Sequence, residues 1–327
     1  MYRVCRICGN DQGMVSYHPR EMMFGTREPF DYFQCGACGC LQIEQIPEDL
    51  GSYYPAGYFS FQDYRPLARS RVRGWTEHYR VSRAFRRRGK KDSLWDAVFP
   101  PPPYMGWVRQ AGITRDDPVL DIGCGSGKLM VRFGLGGFTD CTGVDQFIAE
   151  DIVYNDRVRV LKRDLESFAM ESGPRHALVM LHHAFEHMRD PHAVLQTVIR
   201  LLRPDGWLLI RIPLADSYAW ETYREDWVQL DAPRHLYLHT RKSMQHLAER
   251  HGFRIDQVSY DSGPTQILGS ELYRRDIPLN TAKQLKKSVL TRALRRVAQR
   301  HTEELNRSER GDQAVFFLRR TGNGTAS

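Results

Sequence analysis

No stretch of the 327-residue chain approaches the ~18 to 20 consecutive apolar residues that a membrane-crossing helix requires, so no transmembrane segment is expected. The opening residues, MYRVCRICGN, lack an apolar stretch between a basic start and a small-residue cleavage site. No secretory signal is therefore read, and a cytoplasmic address is expected. A disulfide framework is missing as well: five of the seven cysteines fall in the first 40 residues and two lie far downstream, a clustering that points to a metal. Internal repeats are absent, and the only low-complexity tract is the short polar tail TGNGTAS.

What is present is the composition of a soluble globular protein, 41% hydrophobic and 26% charged, in a chain long enough for one large domain and a smaller module. The net charge of +8 is unevenly spread. Arg65 to Lys91 carries a net +10 and Arg274 to Arg310 a net +7, so the remainder is acidic at −9. A pI near 9.2 is thus no nucleic-acid signature for the whole protein. The two segments read first as solvated helix faces, with an anionic partner as the alternative.

The sequence divides into a cysteine-bearing module at 1–60, a basic helical connector at 61–102 and a large domain at 103–320. A disordered tail is expected at 321–327. The run Pro100 to Pro103 supplies the boundary, because proline lacks the N–H and the free φ that a continuing helix needs. Beyond it, short apolar runs alternate with helix-like spans, the pattern of a parallel sheet covered by helices. The runs PVLDIG, DCTGVD, VRVLKRD, ALVMLHH, GWLLIRIP, FRIDQVSY and AVFFLRR give seven strands. The span 281–300 places Ala282, Leu285, Val289, Leu294 and Val297 on one face of an amphipathic helix inserted before the last strand.

Cys5-x2-Cys8 and Cys35-x2-Cys38 form two CxxCG knuckles separated by 26 residues. The glycine after each pair, Gly9 and Gly39, allows a tight turn that aims backbone N–H groups at the thiolates. Four thiolates close a tetrahedral zinc site with no position for a reacting water, so the expected role is structural. Cys40 is a spare that could replace Cys38.

The segment PVLDIGCGSGK ends a buried strand in Asp121 and sets glycines at 123, 125 and 127 around Cys124. Those glycines let the backbone turn sharply and approach a ligand. A dinucleotide fingerprint would need a third glycine where Lys128 stands, which disfavours a nicotinamide cofactor. With GVDQF downstream, the segment closely resembles the first two motifs of Rossmann-like class I methyltransferases. The resemblance implies an α/β Rossmann-like fold, a mostly parallel seven-stranded sheet with helices on both faces behind a small zinc ribbon, and S-adenosylmethionine as cofactor. By it, Asp121, Gly123, Cys124, Gly125 and Gly127 line the methionine portion, and Asp145 with Gln146 meets the ribose. Asp164 with Leu165 borders the adenine, Asp164 serving equally well as a helix N-cap. The stretch from Ala177 to Pro213 resembles the family's fourth strand, helix and fifth strand, with Ala177 where an aspartate is common. A CxxC…CxxC module joined to this core resembles bacterial methyltransferases of sugar and cell-surface glycan biosynthesis.

Histidines supply the acceptor chemistry. His183-x-x-Glu186-His187 matches a metalloprotease pattern, but Pro191 follows too soon for the long helix that pattern needs. The favoured reading sets His182 and His183 at the carboxyl end of the fourth strand beside the sulfonium, with Glu186 and His187 in the loop bordering the acceptor. The second constellation, DAPRHLYLHT, brings Asp231, Arg234, His235, Tyr237 and His239 to the same crevice. Related sugar C-methyltransferases tend to have Glu where Arg234 stands. His235 is the expected general base and His187 its rival. A small-molecule or glycan acceptor is expected. A nucleic-acid methyltransferase and a non-catalytic cofactor-binding protein stay as alternatives.

Overall fold

A computed structural model describes residues 3–55, 59–86, 98–282 and 289–321. The basic residues Arg87, Arg88, Lys90, Lys91, Lys283, Lys286 and Lys287, together with Leu285 and the tail from Gly322, lie outside the described residues. By its contacts the chain divides into two units. One comprises Met1–Pro55, His183–Leu195 and Ile210–Ser327, the other Ala56–His182 and Gln196–Leu209.

The first unit begins with three short strands, β1 (Val15–Tyr17), β2 (Tyr32–Gln34) and β3 (Leu41–Ile43), paired antiparallel in that order. One cysteine knuckle precedes β1 and the other lies between β2 and β3.

The second unit carries β4 (Val119–Ile122), β5 (Cys141–Val144), β6 (Ile152–Asn155), β7 (Val158–Leu161), β8 (His176–His182) and the first part of β9 (Leu202–Pro213). Their spatial order is β9-β8-β4-β5-β7-β6. β4 is parallel to both β5 and β8, and β5 is parallel to β7. Such strands are buried on both faces, which is why they read as unbroken apolar runs. Val119, Leu120, Leu178, Val179 and Leu208 have no exposed surface, each contributing about 1.5–3 kcal/mol of transfer free energy as an upper estimate. Helices Tyr104–Ala111 and Lys128–Leu135 pack by a stack of Tyr104 on Phe133 with ring centroids 4.5 Å apart. In the basic connector, helix Arg71–Arg86 buries Val81 and Ala84, and Glu77 pairs with Arg80 and Arg132.

The first unit resumes with the end of β9 and adds β10 (Tyr237–Leu238), β11 (Phe253–Tyr260) and β12 (Gln313–Arg320). β11 and β12 pair antiparallel, in the order β11-β12-β9. β10 pairs antiparallel with β3 and becomes the fourth strand of the cysteine-flanked sheet.

All seven expected runs are strands, but among the described residues the count of seven is corrected to eight by β6. β6 and β7 form an antiparallel edge hairpin across Asp156 and Arg157. Its segment IVYN is too short, and too exposed at every second residue, to stand out as an apolar run. The inserted amphipathic helix forms as Val289–Arg307, yet Leu294 and Val297 are 55% and 65% exposed. Among the described side chains of this helix, Ala298, Thr302 and Leu305, at i, i+4 and i+7, are buried, and the helix packs on helix Thr265–Tyr273. Among the described residues no helix is long and apolar enough to cross a membrane.

Candidate functional site

In the second unit the chain leaves β4 toward β5 on one side and later returns as β8 on the other. The carboxyl end of β4 is thus a topological switch point, where open parallel sheets bind ligands. The loop there holds Gly123, Gly125 and Gly127 at φ of 70°, 55° and 75°, a left-handed conformation that other residues adopt only with strain. At Gly125 a Cβ would also collide with the carbonyl oxygen of Ser60, which accepts the Ser126 N–H at 2.8 Å. Asp145, just past β5, accepts the Gly125 and Phe147 N–H groups, each at 2.8 Å, on its two oxygens. Asp121 is buried and its Oδ1 has no hydrogen-bond partner among the described residues. Burial pushes both carboxyls above the usual range, and the charge of Asp145 adds to the effect at Asp121. An anion would aggravate that arrangement, whereas a ligand cation would relieve it.

The other expected cofactor residues are close in sequence to this loop or at strand ends of the same unit. Cys124 is half-buried, and burial pushes its thiol up. Gln146 is exposed, beside the largely exposed Phe147. Asp164 is exposed and caps helix Leu165–Ser172, accepting the Ser167 N–H at 2.9 Å and its hydroxyl at 2.6 Å. Leu165 is the half-buried first residue of that helix. His182 closes β8 with its ring 5.3 Å from Trp107.

In the first unit the structure brings His187 and His235 together, with ring centroids 4.7 Å apart. His187 ends the single 3-10 turn Phe185–His187, and His235 lies in the loop that leads into β10. The backbone ties the two segments, Leu236 N–H donating to the Glu186 carbonyl at 2.8 Å. His187 Nδ1 faces the Arg234 carbonyl at 2.8 Å and the Tyr54 hydroxyl at 3.1 Å. His235 Nδ1 faces the Gln229 carbonyl at 2.6 Å. Glu186 is fully buried, and its Oε1 lies 4.0 Å from His235 Nε2 and 3.3 Å from His183 Nδ1. Burial alone would raise the Glu186 carboxyl, but His183, His187 and His235 draw it down to about 2. Burial lowers His187 to about 4, so its imidazole is neutral near pH 7.

Behind this cluster sits an ion triad that sequence reasoning only half found. Arg234, with no exposed surface, donates to Asp231 at 2.6 and 3.0 Å and to Glu21 at 2.8 Å. Glu21 also accepts the N–H groups of Phe24, Gly25 and Thr26. No local pattern marks Glu21, because its partner lies 213 residues away. Tyr54, in the aromatic stretch after the knuckles, was likewise missed. Two expected acceptor residues are corrected: Tyr237 and His239 are buried in and beside β10, not in a crevice. Pairing with β3 turns the Tyr237 hydroxyl to Arg6 and the Arg189 carbonyl, and His239 stacks on Phe185.

The four cysteines expected to bind metal also converge. Their Sγ atoms all lie within 4.8 Å of one another, with Cys5–Cys38 at 3.6 Å and Cys8–Cys35 at 3.7 Å. Donors are aimed at the sulfurs: Gln42 Nε2 at Cys5, and the N–H groups of Ala37 and Cys38 at Cys35. This donor set is compatible with zinc. Cys40 stands apart, buried against His239 at 4.0 Å. In the basic segments, Arg65, Arg69, Arg71, Arg73 and Arg86 are exposed while Arg83 is buried.

Comparison with known proteins places these features. Residues 101–258 match the methyltransferase-domain family. The Bacillus subtilis protein YqeM, named as a methyltransferase, is 24% identical over 131 residues, covering 37% of this chain and 53% of its own. The ubiquinone biosynthesis O-methyltransferase of Paracidovorax citrulli is 30% identical over 113 residues, covering 32% and 47%. The chain thus spans about half the length of the curated relatives it matches. The structure of Burkholderia thailandensis 1,6-didemethyltoxoflavin-N1-methyltransferase, with S-adenosylhomocysteine bound, aligns over 88% of this chain and 96% of that one at 14% identity and a TM-score of 0.43. Residues 101–258 are thus similar to a methyltransferase domain, which supports S-adenosylmethionine-dependent methyl transfer as the activity of that segment.

Proposed function

We propose that the whole protein methylates a small-molecule acceptor with S-adenosylmethionine, and that the acceptor is a sugar, nucleotide-sugar or cell-surface glycan. The observation that carries the cofactor reading is the buried, unpartnered Asp121 Oδ1 at the end of β4, beside a second raised carboxyl. S-adenosylmethionine, when bound, supplies an activated methyl on a sulfonium, and with it two positive charges that such a pair of carboxylates favours. Asp121 and the loop Gly123, Cys124, Gly125 and Gly127 would hold its methionine portion. Asp145 and Gln146 would hold the ribose, and Asp164 and Leu165 the adenine, with His182 beside the reacting end. Each oxygen of Asp145 keeps a lone pair beyond its backbone bond, as acceptance from ribose hydroxyls requires.

A small-molecule acceptor is supported by relatives named for O-methylation in ubiquinone biosynthesis. For a hydroxyl acceptor the chain must remove one proton. His235 is our choice for that base, because its Nδ1 is engaged by the Gln229 carbonyl and its Nε2 is left with a lone pair. His187 is the rival. We further propose that Cys5, Cys8, Cys35 and Cys38 hold one structural zinc.

The test is turnover of candidate acceptors, found by comparing glycans and nucleotide-sugars from cells with and without the gene by mass spectrometry. Against the true acceptor, His235→Ala is expected to lose about 10²- to 10⁴-fold in rate with cofactor affinity retained. Turnover at the wild-type rate would remove His235 as the base.

A further inference from the structure

Glu186, His187 and His235 each bring one ligand-capable atom within 4.8 Å of those of the other two. Their hydrogen bonds show which nitrogen of each imidazole is left to act as a ligand. His187 Nδ1 faces the Arg234 carbonyl and His235 Nδ1 the Gln229 carbonyl, and a carbonyl oxygen can only accept. Each Nδ1 therefore carries the hydrogen, and each Nε2 is left with a bare lone pair. The His235 lone pair stands 4.0 Å from Glu186 Oε1 and 4.0 Å from Asp231 Oδ2, both acceptors.

Glu186 sharpens the imbalance. It is fully buried; His183 serves its Oε1 from behind at 3.3 Å, while its Oε2 has no hydrogen-bond partner among the described residues. Arg211 donates to His183 Nε2 and to Asp261, so His183 is itself held in the tautomer that donates to Glu186. Two lone pairs and a carboxylate whose Oε2 has no partner among the described residues thus come together in a largely buried place, an arrangement that a further donor or a cation would complete. The backbone carbonyls behind both imidazoles are the partners that orient metal-binding histidines.

We propose that Glu186, His187 and His235 bind a divalent first-row transition-metal cation, through the carboxylate and the two Nε2 atoms. Ligand atoms sharing such a cation at about 2.0–2.2 Å lie roughly 3 to 3.6 Å apart in neighbouring positions, so closing the present cluster needs side-chain shifts of up to about 1 Å. Two imidazoles favour a transition metal over magnesium or calcium, and three protein ligands leave a position for an acceptor oxygen. The site differs from the four-cysteine cluster in donor chemistry. It differs from a metalloprotease pair as well, since His183 stands behind Glu186 and the motif sits on a 3-10 turn. The inference rests on the proposed methyl transfer and changes one part of it: with the cation bound, His235 is a ligand, and the cation's field lowers the pKa of the acceptor hydroxyl.

The full chain, first given one equivalent of zinc for the four cysteines, is titrated with cobalt(II) alone and followed by calorimetry. The weak visible bands of a nitrogen- and oxygen-ligated ion are recorded alongside. One cobalt(II) per chain is expected, without thiolate charge-transfer absorbance, and its affinity should fall at least about 10-fold in Glu186→Gln and in His235→Ala. Absence of cobalt(II) binding in the wild type, or equal affinity in folded variants, overturns the inference and leaves a bridging water in its place. Should a variant fail to fold by circular dichroism, the wild-type stoichiometry and spectrum decide alone. S-adenosylmethionine binding is measured on the same samples. Intact cofactor binding without cobalt(II) rejects only the cation, whereas loss of cofactor binding in the wild type rejects the methyltransferase reading.

Discussion

Arg234→Ala should be among the most destabilising single substitutions in the first unit. The guanidinium is wholly buried and makes two bonds to Asp231, one to Glu21 and a longer one, 3.3 Å, to the Tyr53 carbonyl. Its removal leaves two buried carboxylates facing each other without a cation. Glu21 keeps its three backbone N–H donors, so the penalty falls mainly on Asp231, which loses both arms of the fork. Removing one partner of a buried ion pair costs about 3–5 kcal/mol, and the three partners do not add independently. For a chain of this size that is a fall in Tm of roughly 4 to 7 °C. Urea denaturation of the full chain measures the loss, and a double-mutant cycle with Glu21→Gln should return a coupling of at least about 1 kcal/mol. A loss below about 1 kcal/mol for Arg234→Ala, with no coupling to Glu21, would show that water reaches the triad and that its burial is not real.

Further outcomes follow from the same geometry. Gly125→Ala should abolish S-adenosylmethionine binding in calorimetry, because φ is 55° there and the added methyl meets the Ser60 carbonyl; wild-type affinity would refute the close approach. Asp312, fully buried with Trp227 Nε1 donating to it at 3.0 Å, has its carboxyl pushed by burial to about 6. The folded state then binds more protons than the unfolded between pH about 4 and about 6, so this residue's contribution is fully present below that window and is lost as pH rises through it. Asp312→Asn should flatten that slope and gain up to about 3 kcal/mol at pH 7.5, read from urea midpoints at pH 4.5 and 7.5; parallel curves for the two proteins would refute it. Protein purified without chelator should hold zinc on the four cysteines, and Cys8→Ser should remove one equivalent by elemental analysis; a zinc content unchanged by the substitution would contradict that site.

The parallel strands were legible because burial on both faces leaves unbroken apolar runs such as VLDI and HALVML, which nothing but a core accounts for. The glycine loop and its carboxylates were legible because a tight turn at a strand end restricts residue type locally. Structure that depends on distant partners left no such mark. PRHLYLHT reads as an active-site loop, yet its Tyr237 and Leu238 form β10, a strand only because β3 is there to pair with it. Glu21 looks like an ordinary surface acid until Arg234 is folded against it. In helix Val289–Arg307 the apolar residues Leu294 and Val297 define a face by periodicity, but packing chose Ala298, a small residue with a weaker signal, together with Thr302 and Leu305, which lie beyond the span 281–300.

The central claim is that the paired carboxylates and glycine loop at the ends of β4 and β5 bind S-adenosylmethionine. Isothermal calorimetry with the purified full chain tests it directly. The account predicts micromolar binding, roughly −7 to −8 kcal/mol, lost or greatly weakened in Asp121→Ala and in Asp145→Ala. No heat at tens of micromolar protein, or binding by Asp121→Ala and Asp145→Ala indistinguishable from that of the wild type, would contradict it.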